Sequence, residues 1–416
     1  MDYLCRMKNQ SPIPSINVQE FSYVLPLESI AFEPTKQRDS SRLLVYKNGN
    51  ISHSQYSSLA NFLQPNAHLF FNDTKVIAAR LLFKKSTGTT IEIFLLEPLD
   101  GNYEQLHYTL SSNWKCLVGG SKKWKENEVL VLEIQSANFT TRLTAKRVEK
   151  AENYTSIEFN WDQNISFSEL IAATGQIPLP PYIKRENKEE DKTRYQTVYA
   201  KEEGSVAAPT AGLHFTPAIF ESLSKKGIEK SFLTLHVGAG TFKPVTASSI
   251  AEHQMHEEYF EVDINAIIAL ADAQNMKVAV GTTSLRTLES LYWIGLHLMH
   301  KKSNPNLHTL QLQQWEYLGW EEDEMLNTTT VFKFLSELMQ QQNVNKLIGH
   351  TGICITPGYR FKVIDALVTN FHQPQSTLLL LIAAIVGDDW KKIYTNALNE
   401  GYRFLSYGDG SILFLK

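Results

Sequence analysis

The hydrophobic and polar positions divide the chain into two kinds of region. Between about residues 70 and 160, short runs of β-branched and aromatic residues follow one another closely, with Gly, Asn and Asp between them. From about residue 204 onward, similar runs alternate with longer stretches that have helical spacing. The first pattern is typical of a small barrel or sandwich. The second predicts an α/β domain with a largely parallel or mixed sheet.

The strand-rich region contains several candidate strands. A short strand is also expected earlier, at 42–46, because the Asn48-Gly49 turn follows it. The candidates within the region itself are residues 69–71, 90–96, 108–110, 129–134 and 156–159.

Helix signals and prolines mark the change between the two regions. Ser166 and Glu169 have capping-box spacing, and Gly175 is a plausible C-terminal stop for the short helix between. The prolines of residues 177–185 exclude a helix and favour an extended segment. The charged run at 186–194 is expected to be a solvated loop.

Three strands of the second region end in glycine or polar residues. In open α/β sheets, ligands bind beyond the carboxyl ends of the strands, where helix N-termini also present free N–H groups that suit anions. We therefore expect a binding site at this edge of the sheet. The three strand ends are 232–237 before Gly238-Ala-Gly240, 278–280 before Gly281-Thr282-Thr283, and 366–371 before His372 and an apolar helix that Ser376 could cap.

Several histidines lie at or near these strand ends. A histidine in such a position can be structural or catalytic, and the sequence alone leaves both roles open. By the period of two along a strand, Thr234 and His236 point to the same side. His253, His256 and Glu258 form a His-x-x-His-x-Glu pattern that could supply metal ligands. No further Cys or His completes a metal motif, so substrate orientation or acid–base work is the favoured functional role, and a polar loop is the structural alternative.

Composition limits the classes of partner. The 416 residues suggest two or three domains, and the formal net charge of -4 gives no global attraction to nucleic acid, so any RNA contact must use local basic clusters. Cys5, Cys116 and Cys354 form no disulfide or zinc spacing and are expected to be small buried residues in a reducing cytoplasm. The longest apolar run, 378–386, is about half of the ~20 residues of a membrane span and predicts a core helix, so no membrane partner is expected.

Several common enzyme motifs are missing from the sequence. There is no GxGxxG before a helix, no Walker loop, no HExxH and no GxSxG. Nicotinamide, ATP-hydrolysing and serine-hydrolase functions therefore lose their usual support.

Nine blocks in one order carry a family resemblance. Together they make the chain similar to the S-adenosylmethionine:tRNA ribosyltransferase-isomerase family of queuosine biosynthesis. The blocks are FNDTKVIAARL (71–81), IPLPPYIKR (177–185), RYQTVYA (194–200), GSVAAPTAGLHFT (204–216), TLHVGAGTFKPV (234–245), EHQMHEEY (252–259), VGTTSLRTLES (280–290), TPGYRFKVIDALVTNFHQPQSTLLLL (356–381) and YRFLSYGDG (402–410).

The resemblance implies a fold and a reaction. The fold would be α/β, with a large mixed-sheet domain formed by residues 1–70 and 161–416 and an inserted small β-barrel domain at 71–160. The reaction would transfer and isomerise the ribosyl group of S-adenosylmethionine onto the aminomethyl-deazaguanine base at the tRNA wobble position. Epoxyqueuosine would form, with adenine and methionine released. S-adenosylmethionine would be a co-substrate, with no prosthetic group. The residues themselves, with no metal motif and no targeting or membrane segment, predict a cytoplasmic protein without a metal, and we expect a monomer.

Such a reaction needs an acid or hydrogen-bond donor for the leaving adenine, a base for the proton beside the sulfonium, and an acceptor for the amine proton. We predict that His214, His236 and His372 share one pocket. The full set of catalytic candidates is His214, His236, His253, His256, Glu258 and His372. The substrate-binding candidates are Thr210, Gly238, Gly240, Thr241, Thr282, Thr283, Arg286, Asn370 and Ser376.

Some candidates keep an open alternative. Arg286 is expected to bind the methionine carboxylate or a tRNA phosphate, or else to be a surface helix residue. Asp365 and Asp409 are further candidates, or form structural salt bridges. For RNA, the predicted basic residues are Lys122, Lys123 and Lys125 around Trp124, with Lys184 and Arg185 after the prolines. The alternative is a solvated surface with one packed Trp.

Two departures and two rival functions remain. Ala79 stands where the family often has proline, which loosens the local backbone. The connection between Ser290 and Thr356 is long, contains Trp315, Trp320 and a helix with Phe332, Leu335, Leu338 and Met339 at helical spacing, and is expected to be a packed insertion or an oligomer contact. The rivals are another S-adenosylmethionine-using enzyme with a different acceptor and a non-catalytic RNA-binding protein.

Overall fold

The computed structural model describes residues 13–238, 245, 247–301 and 305–415. The strands are β1 (Arg42–Lys47), β2 (Asn50–Gln55), β3 (Ala67–Asn72), β4 (Thr74–Val76), β5 (Arg80–Lys84), β6 (Thr90–Pro98), β7 (Ser111–Gly119), β8 (Leu130–Gln135), β9 (Thr140–Lys150), β10 (Thr155–Asn160), β11 (Glu202–Ser205), β12 (Glu229–His236), β13 (Glu258–Asp263), β14 (Met276–Val280), β15 (Leu310–Leu312), β16 (Lys346–Thr351), β17 (Ala366–Asn370) and β18 (Gly410–Phe414). The helices are α1 (Phe167–Thr174), α2 (Asp191–Arg194), α3 (Pro217–Lys225), α4 (Ile264–Ala271), α5 (Thr282–Lys301), α6 (Thr328–Gln341), α7 (Thr377–Val386) and α8 (Asp389–Asn399).

The large sheet has a parallel centre and antiparallel flanks. Its order among the described residues is β15-β16-β13-β12-β3-β14-β17-β18-β1-β2. The four neighbours β12, β3, β14 and β17 are all parallel, so their carboxyl ends meet at one edge. Residues of α4, α5, α6, α7 and α8 pack on one face, and α3 with the 3-10 helix Tyr56–Phe62 packs on the other.

The second sheet is antiparallel, with the order β5-β6-β7-β10-β9-β8. Its two outer strands, β5 and β8, also contact each other, which gives the sheet a nearly closed, barrel-like form. Trp114 lies at 0% exposure in its core, where Phe167 of α1 packs on the indole. The mixed α/β fold with a small β-barrel is therefore confirmed. The division at 71–160 stays a prediction, although Phe71 and Asn72 belong to β3 of the large sheet and the barrel strands begin at Arg80.

Local signals placed most elements correctly. The capping box at Ser166 and the end of α1 at Gly175 are both present. The strand expected at 108–110 is wrong, because Leu110 has a φ of 74°, which breaks an extended strand, and β7 begins one residue later. The charged run is not wholly solvated, since Asp191 is 1% exposed and forms an ion pair with Arg185.

The long connection after Ser290 is a packed part of the large domain. It forms the end of α5, then β15, α6 and β16, and α6 packs against α4. Phe332, Leu335 and Met339 are buried at 0% exposure, as their helical spacing predicts. Within the described residues, none of the helices has both the length and the apolar character needed to cross a bilayer.

Candidate functional site

A cavity, here called the first cavity, opens at the carboxyl edge of the parallel strands. Val237 after β12, Gly281 after β14, and Thr369 and Asn370 of β17 line it. Including its opening to solvent, the space measures about 810 Å³. This is the edge at which the strand ends in the sequence predict a site.

Two helices begin at the first cavity. Helix α5 starts at Thr282, directly after Gly281, whose φ of 93° favours glycine and lets the chain turn sharply from strand into helix. Helix α7 starts after Ser376, whose hydroxyl accepts a hydrogen bond from the Leu379 N–H and caps the helix as expected. The first N–H groups of both helices have no partner within their own helix, so the cavity is suited to a negatively charged group.

Polar side chains fix the cavity wall. Thr210 donates to Asn370 Oδ1 at 2.8 Å, and the Asn370 Nδ2 lies 3.3 Å from His214 Nε2. Thr283 lines the cavity, and its Oγ1 is buried without a hydrogen-bond partner among the described residues. A buried hydroxyl of this kind is costly to leave unpaired, and it suits a ligand that completes the pair.

The three histidines predicted to share one pocket are not brought together. Among the described lining residues, only His372 faces the first cavity. His214 lies behind the wall, stacked on Tyr56 and linked to the cavity through Asn370. His236 lies on the other side of β12, because Val237, its neighbour, takes the cavity side and successive strand residues alternate.

His236 is held in a buried polar cluster. Its Nδ1 lies 2.9 Å from Thr74 Oγ1, and its ring stacks on Tyr259 at 5.5 Å and packs against Tyr103 at 4.1 Å. Thr234 points to the same side, as predicted, and donates to Asp73 Oδ1 at 2.8 Å. Burial raises the pKa of Asp73 to about 6.

Burial also controls the charge of the three histidines. It lowers the pKa of His214 to about 3 and those of His236 and His372 to about 4. Each imidazole is therefore neutral at pH 7. Because an unfolded histidine titrates near 6.5, the folded chain binds fewer protons than the unfolded chain between about pH 6.5 and 4, and folding stability falls as the pH drops through that window.

We expect His236→Gln to flatten this pH dependence. Each such histidine contributes a slope of up to about 1.4 kcal/mol per pH unit below pH 6.5, and the glutamine removes one contribution. Urea unfolding at pH 7, 6 and 5 measures the slope. His308, which is exposed, provides the control His308→Gln, whose slope should match the wild type. An unchanged slope in His236→Gln would contradict the neutral, buried state of His236.

The His-x-x-His-x-Glu residues lie at a second cavity. His253 and His256 line it together with Arg286 of α5. Glu258 is 2% exposed and accepts a hydrogen bond from Arg286 Nη1, while His256 Nε2 lies 3.4 Å from its other oxygen. Arg286 is thus a buried residue rather than the surface residue of the alternative interpretation. Within the described part of the chain, no group of three or more His, Cys, Asp or Glu side chains could hold a metal ion.

The remaining candidates divide into available and committed residues. Among the described residues, no atom lies within 4 Å of the position that a Cβ on Gly238 would take, and Gly240 and Thr241 lie outside the described residues. Asp365 accepts from the Lys277 backbone N–H, and Asp409 accepts from those of Arg42 and Arg403, so both carboxylates hold the backbone.

The predicted RNA-binding residues have unequal surroundings. Lys122, Lys123 and Lys125 are exposed, as is Lys184. Trp124 is 2% exposed, donates to the Glu128 carbonyl and lies under Arg147, so it is the packed Trp of the alternative interpretation. Arg185 uses four of its five N–H groups on Phe32, Glu186 and Asp191, which leaves little for a phosphate.

Sequence reasoning missed part of the cavity wall. Tyr182, from the proline-rich segment, lines the first cavity and its hydroxyl hydrogen-bonds Ser406 near the C-terminus. Thr369 Oγ1 lies 2.9 Å from His372 Nε2. The IPLPPYIKR block contained Tyr182, but nothing local in the sequence indicates which way an extended segment turns.

A family model and named relatives match nearly the whole chain. A family model described as queuosine biosynthesis protein matches residues 18–311 and 325–413. A protein of Thermotoga petrophila, named S-adenosylmethionine:tRNA ribosyltransferase-isomerase, is 39% identical over 96% of this chain and 100% of its own length. A protein of Legionella pneumophila strain Paris with the same name is 38% identical over 96% and 100%. The crystal structure of an S-adenosylmethionine tRNA ribosyltransferase from Thermotoga maritima is 30% identical, covers 94% of this chain and 99% of its own, and has a TM-score of 0.44.

Proposed function

The chain belongs to the queuosine biosynthesis family of S-adenosylmethionine:tRNA ribosyltransferase-isomerases, and on that premise we propose that the first cavity is its donor site. The enzyme transfers the ribosyl group of S-adenosylmethionine to a tRNA base and isomerises it. The acceptor is the aminomethyl-deazaguanine at the wobble position, and the products are epoxyqueuosine in tRNA, adenine and methionine. S-adenosylmethionine acts as a co-substrate.

One observation supports this placement most strongly. The carboxyl ends of β12, β14 and β17 and the first residues of α5 and α7 line the same cavity. A zwitterionic sulfonium nucleoside needs such a mixture of surfaces. Its carboxylate suits a helix N-terminus, and its adenine suits an apolar wall.

The two ends of the donor fit different walls. We place the methionine carboxylate at the start of α5, where the free N–H groups and the unpaired Thr283 hydroxyl are available. Ala207, Ala208, Phe371 and Leu405 form an apolar wall that suits the adenine ring.

His372 is the group we place nearest the departing adenine. Cleavage of the glycosidic bond leaves negative charge on adenine, and a hydrogen-bond donor aimed at that charge lowers the barrier. A neutral imidazole donates such a bond without repelling the cationic sulfonium. His214, His236, His253 and His256 remain candidates for the later proton transfers, with His214 acting through Asn370. Glu258 is instead engaged by Arg286.

Incubation with the donor and matched tRNA tests the function directly. We expect release of adenine and methionine, and an increase in the mass of the wobble nucleoside that corresponds to the transferred ribosyl-derived group. Both should depend on the aminomethyl base. A mass increase of one methyl group would instead favour a different S-adenosylmethionine-using enzyme. Binding of tRNA without adenine release would favour a non-catalytic RNA-binding protein.

The exposed lysines of the barrel are the proposed tRNA contact. Reversal of charge in Lys122→Glu/Lys123→Glu should weaken tRNA affinity and reduce the salt slope of log Kd by about 1 to 2, because each lysine–phosphate ion pair accounts for about 1 unit of that slope. Filter binding across a salt series measures both. Lys333→Glu on α6, also exposed, is the comparison variant. Equal slopes in the double variant and the wild type would remove this patch from the interface.

We also propose that the enzyme acts in the cytoplasm, where its tRNA substrate is modified. We further propose that a monomer is sufficient for catalysis. Measurement of specific activity across a wide range of protein concentration tests this, and a fall on dilution would contradict it.

A further inference from the structure

The second cavity lies beside the first and shares one wall with it. Leu378, in the first turn of α7, lines both. Including its opening to solvent, the second cavity measures about 1560 Å³. Its walls combine apolar side chains, such as Ile355 and Leu381, with the polar residues His253, His256 and Arg286, together with Glu257, Gln254, Gln313 and Gln314. An aromatic ring with polar edges fits such a mixed surface.

Arg286 is the most unusual of these residues. Its side chain is 7% exposed, its Nε donates to the Ile353 carbonyl at 3.1 Å, and its Nη1 donates to Glu258. Its Nη2 is buried and has no hydrogen-bond partner among the described residues. An unpaired guanidinium N–H in such a position is costly, so it indicates a site for an acceptor that the protein itself does not supply.

The charge around Arg286 indicates what kind of acceptor fits. Glu258 is 1% exposed at its side chain and already balances the guanidinium charge. A phosphate or carboxylate would therefore add an uncompensated negative charge next to a buried carboxylate, which is costly. A carbonyl oxygen accepts the Nη2 hydrogen bond without adding charge, so a neutral carbonyl is the better match.

Helix α5 connects the two cavities. Thr283 faces the first cavity and Arg286 faces the second, and residues three apart lie on the same side of a helix. A donor at the start of α5 and a ring beside Arg286 would then be neighbours across Leu378. This is the arrangement that transfer of a group from one ligand to the other needs.

We propose that the second cavity holds the acceptor base, with Arg286 Nη2 donating to the base's carbonyl oxygen. The inference rests on the proposed function and adds the location and recognition of the acceptor. Arg286 binds the substrate through this bond, and Glu258 positions the guanidinium. The apolar residues Ile355 and Leu381 cover a face of the ring.

A cycle of protein and substrate changes tests the contact. The substrates are an anticodon stem-loop with the aminomethyl-deazaguanine and the same stem-loop with the carbonyl oxygen of that base replaced by hydrogen. The proteins are the wild type and Arg286→Lys, which keeps the charge beside Glu258. We expect each single change to lower kcat/KM for adenine release roughly ten- to hundredfold, the effect of one hydrogen bond to a charged donor. The two changes together should cost little more than either alone.

Controls separate this contact from a structural effect. Arg80→Lys alters another Arg–Glu ion pair, with Glu92 in the barrel. Any loss of kcat/KM that it causes should be independent of the substrate change, so the two losses should multiply. If Arg286→Lys does not fold, Arg286→Met/Glu258→Gln removes both charges together. Its kcat/KM should likewise be nearly the same for the substrates with and without the carbonyl oxygen.

Three outcomes have distinct meanings. If the losses of kcat/KM caused by Arg286→Lys and by removal of the carbonyl oxygen multiply, the proposed contact is wrong. A weaker Kd for S-adenosylmethionine in Arg286→Lys, measured by calorimetry without RNA, would also overturn it, because it would place the arginine at the donor. Absence of adenine release by the wild type on the complete stem-loop would instead contradict the proposed function itself.

Discussion

Replacing Glu289 by alanine is expected to lower the free energy of unfolding by about 3–5 kcal/mol. Glu289 is 0% exposed on α5. Its carboxylate accepts from the Tyr359 hydroxyl at 2.8 Å and from the backbone N–H groups of Lys362, Val363 and Ile364 at 2.9, 3.0 and 3.3 Å. Alanine would leave these four donors buried without an acceptor.

Chemical denaturation of both proteins measures the difference. Glu289→Gln should also destabilise, because its amide nitrogen would face a donor in place of one acceptor oxygen. Glu337→Ala on α6 is the matched control, since Glu337 is exposed and its removal should change stability by no more than about 0.5 kcal/mol. A loss in Glu289→Ala as small as that of the control would show that these bonds contribute little.

The same carboxylate connects the stability of the fold to the site. Residues 362–364 lead directly into β17, whose last residue is Asn370, and α5 begins at the first cavity. Glu289 therefore fixes the strand that supplies Asn370 relative to the helix that supplies Thr283. The GTTSLRTLES block contains Glu289, but its role depends on a loop 70 residues later, so local sequence patterns cannot indicate it.

Local rules predicted the elements because their signals lie within a few residues. The cap at Ser376 and the turn at Gly281 are examples, and both lie at the edge of the sheet where the first cavity opens. The period of two also correctly placed Thr234 and His236 on one side of β12. The period of two could not show which side of β12 faces the cavity, because that depends on how the other elements pack against the sheet.

Long-range partners account for the other differences. Trp124 stands among the lysines predicted to contact RNA, but it is buried, and Arg147 of β9 covers its ring. Arg185 was a possible phosphate contact, but Asp191 uses it. In both cases the residue interacts with a partner that the fold brings close, and the neighbouring charges in the sequence do not indicate that partner. The opposite holds for Tyr182. Its neighbours in the sequence indicate no function, but the fold places it in the wall of the first cavity.

Replacing His372 by alanine is expected to lower kcat for adenine release by about 10²- to 10³-fold, the usual effect of removing one donor from a developing charge. The backbone around His372 is held from both sides, since its N–H donates to the Tyr394 hydroxyl at 3.0 Å and its carbonyl accepts from Tyr23 at 2.5 Å. Thr369 holds the ring at 2.9 Å. Such a fixed donor needs little reorganisation during the reaction, which is why its loss should affect kcat more than donor binding.

The pH profile distinguishes this role from ordinary histidine acid–base catalysis. Because burial lowers the pKa of His372 to about 4, the imidazole stays neutral and the wild-type kcat should show no decline due to His372 between pH 8 and about 5.5. A protonated catalytic histidine with an ordinary pKa would instead give a bend near 6.5. Rapid single-turnover assays limit the contribution of acid unfolding. The exposed His308→Ala should retain full activity, and a kcat in His372→Ala within a few-fold of that control would exclude His372 as the donor to adenine.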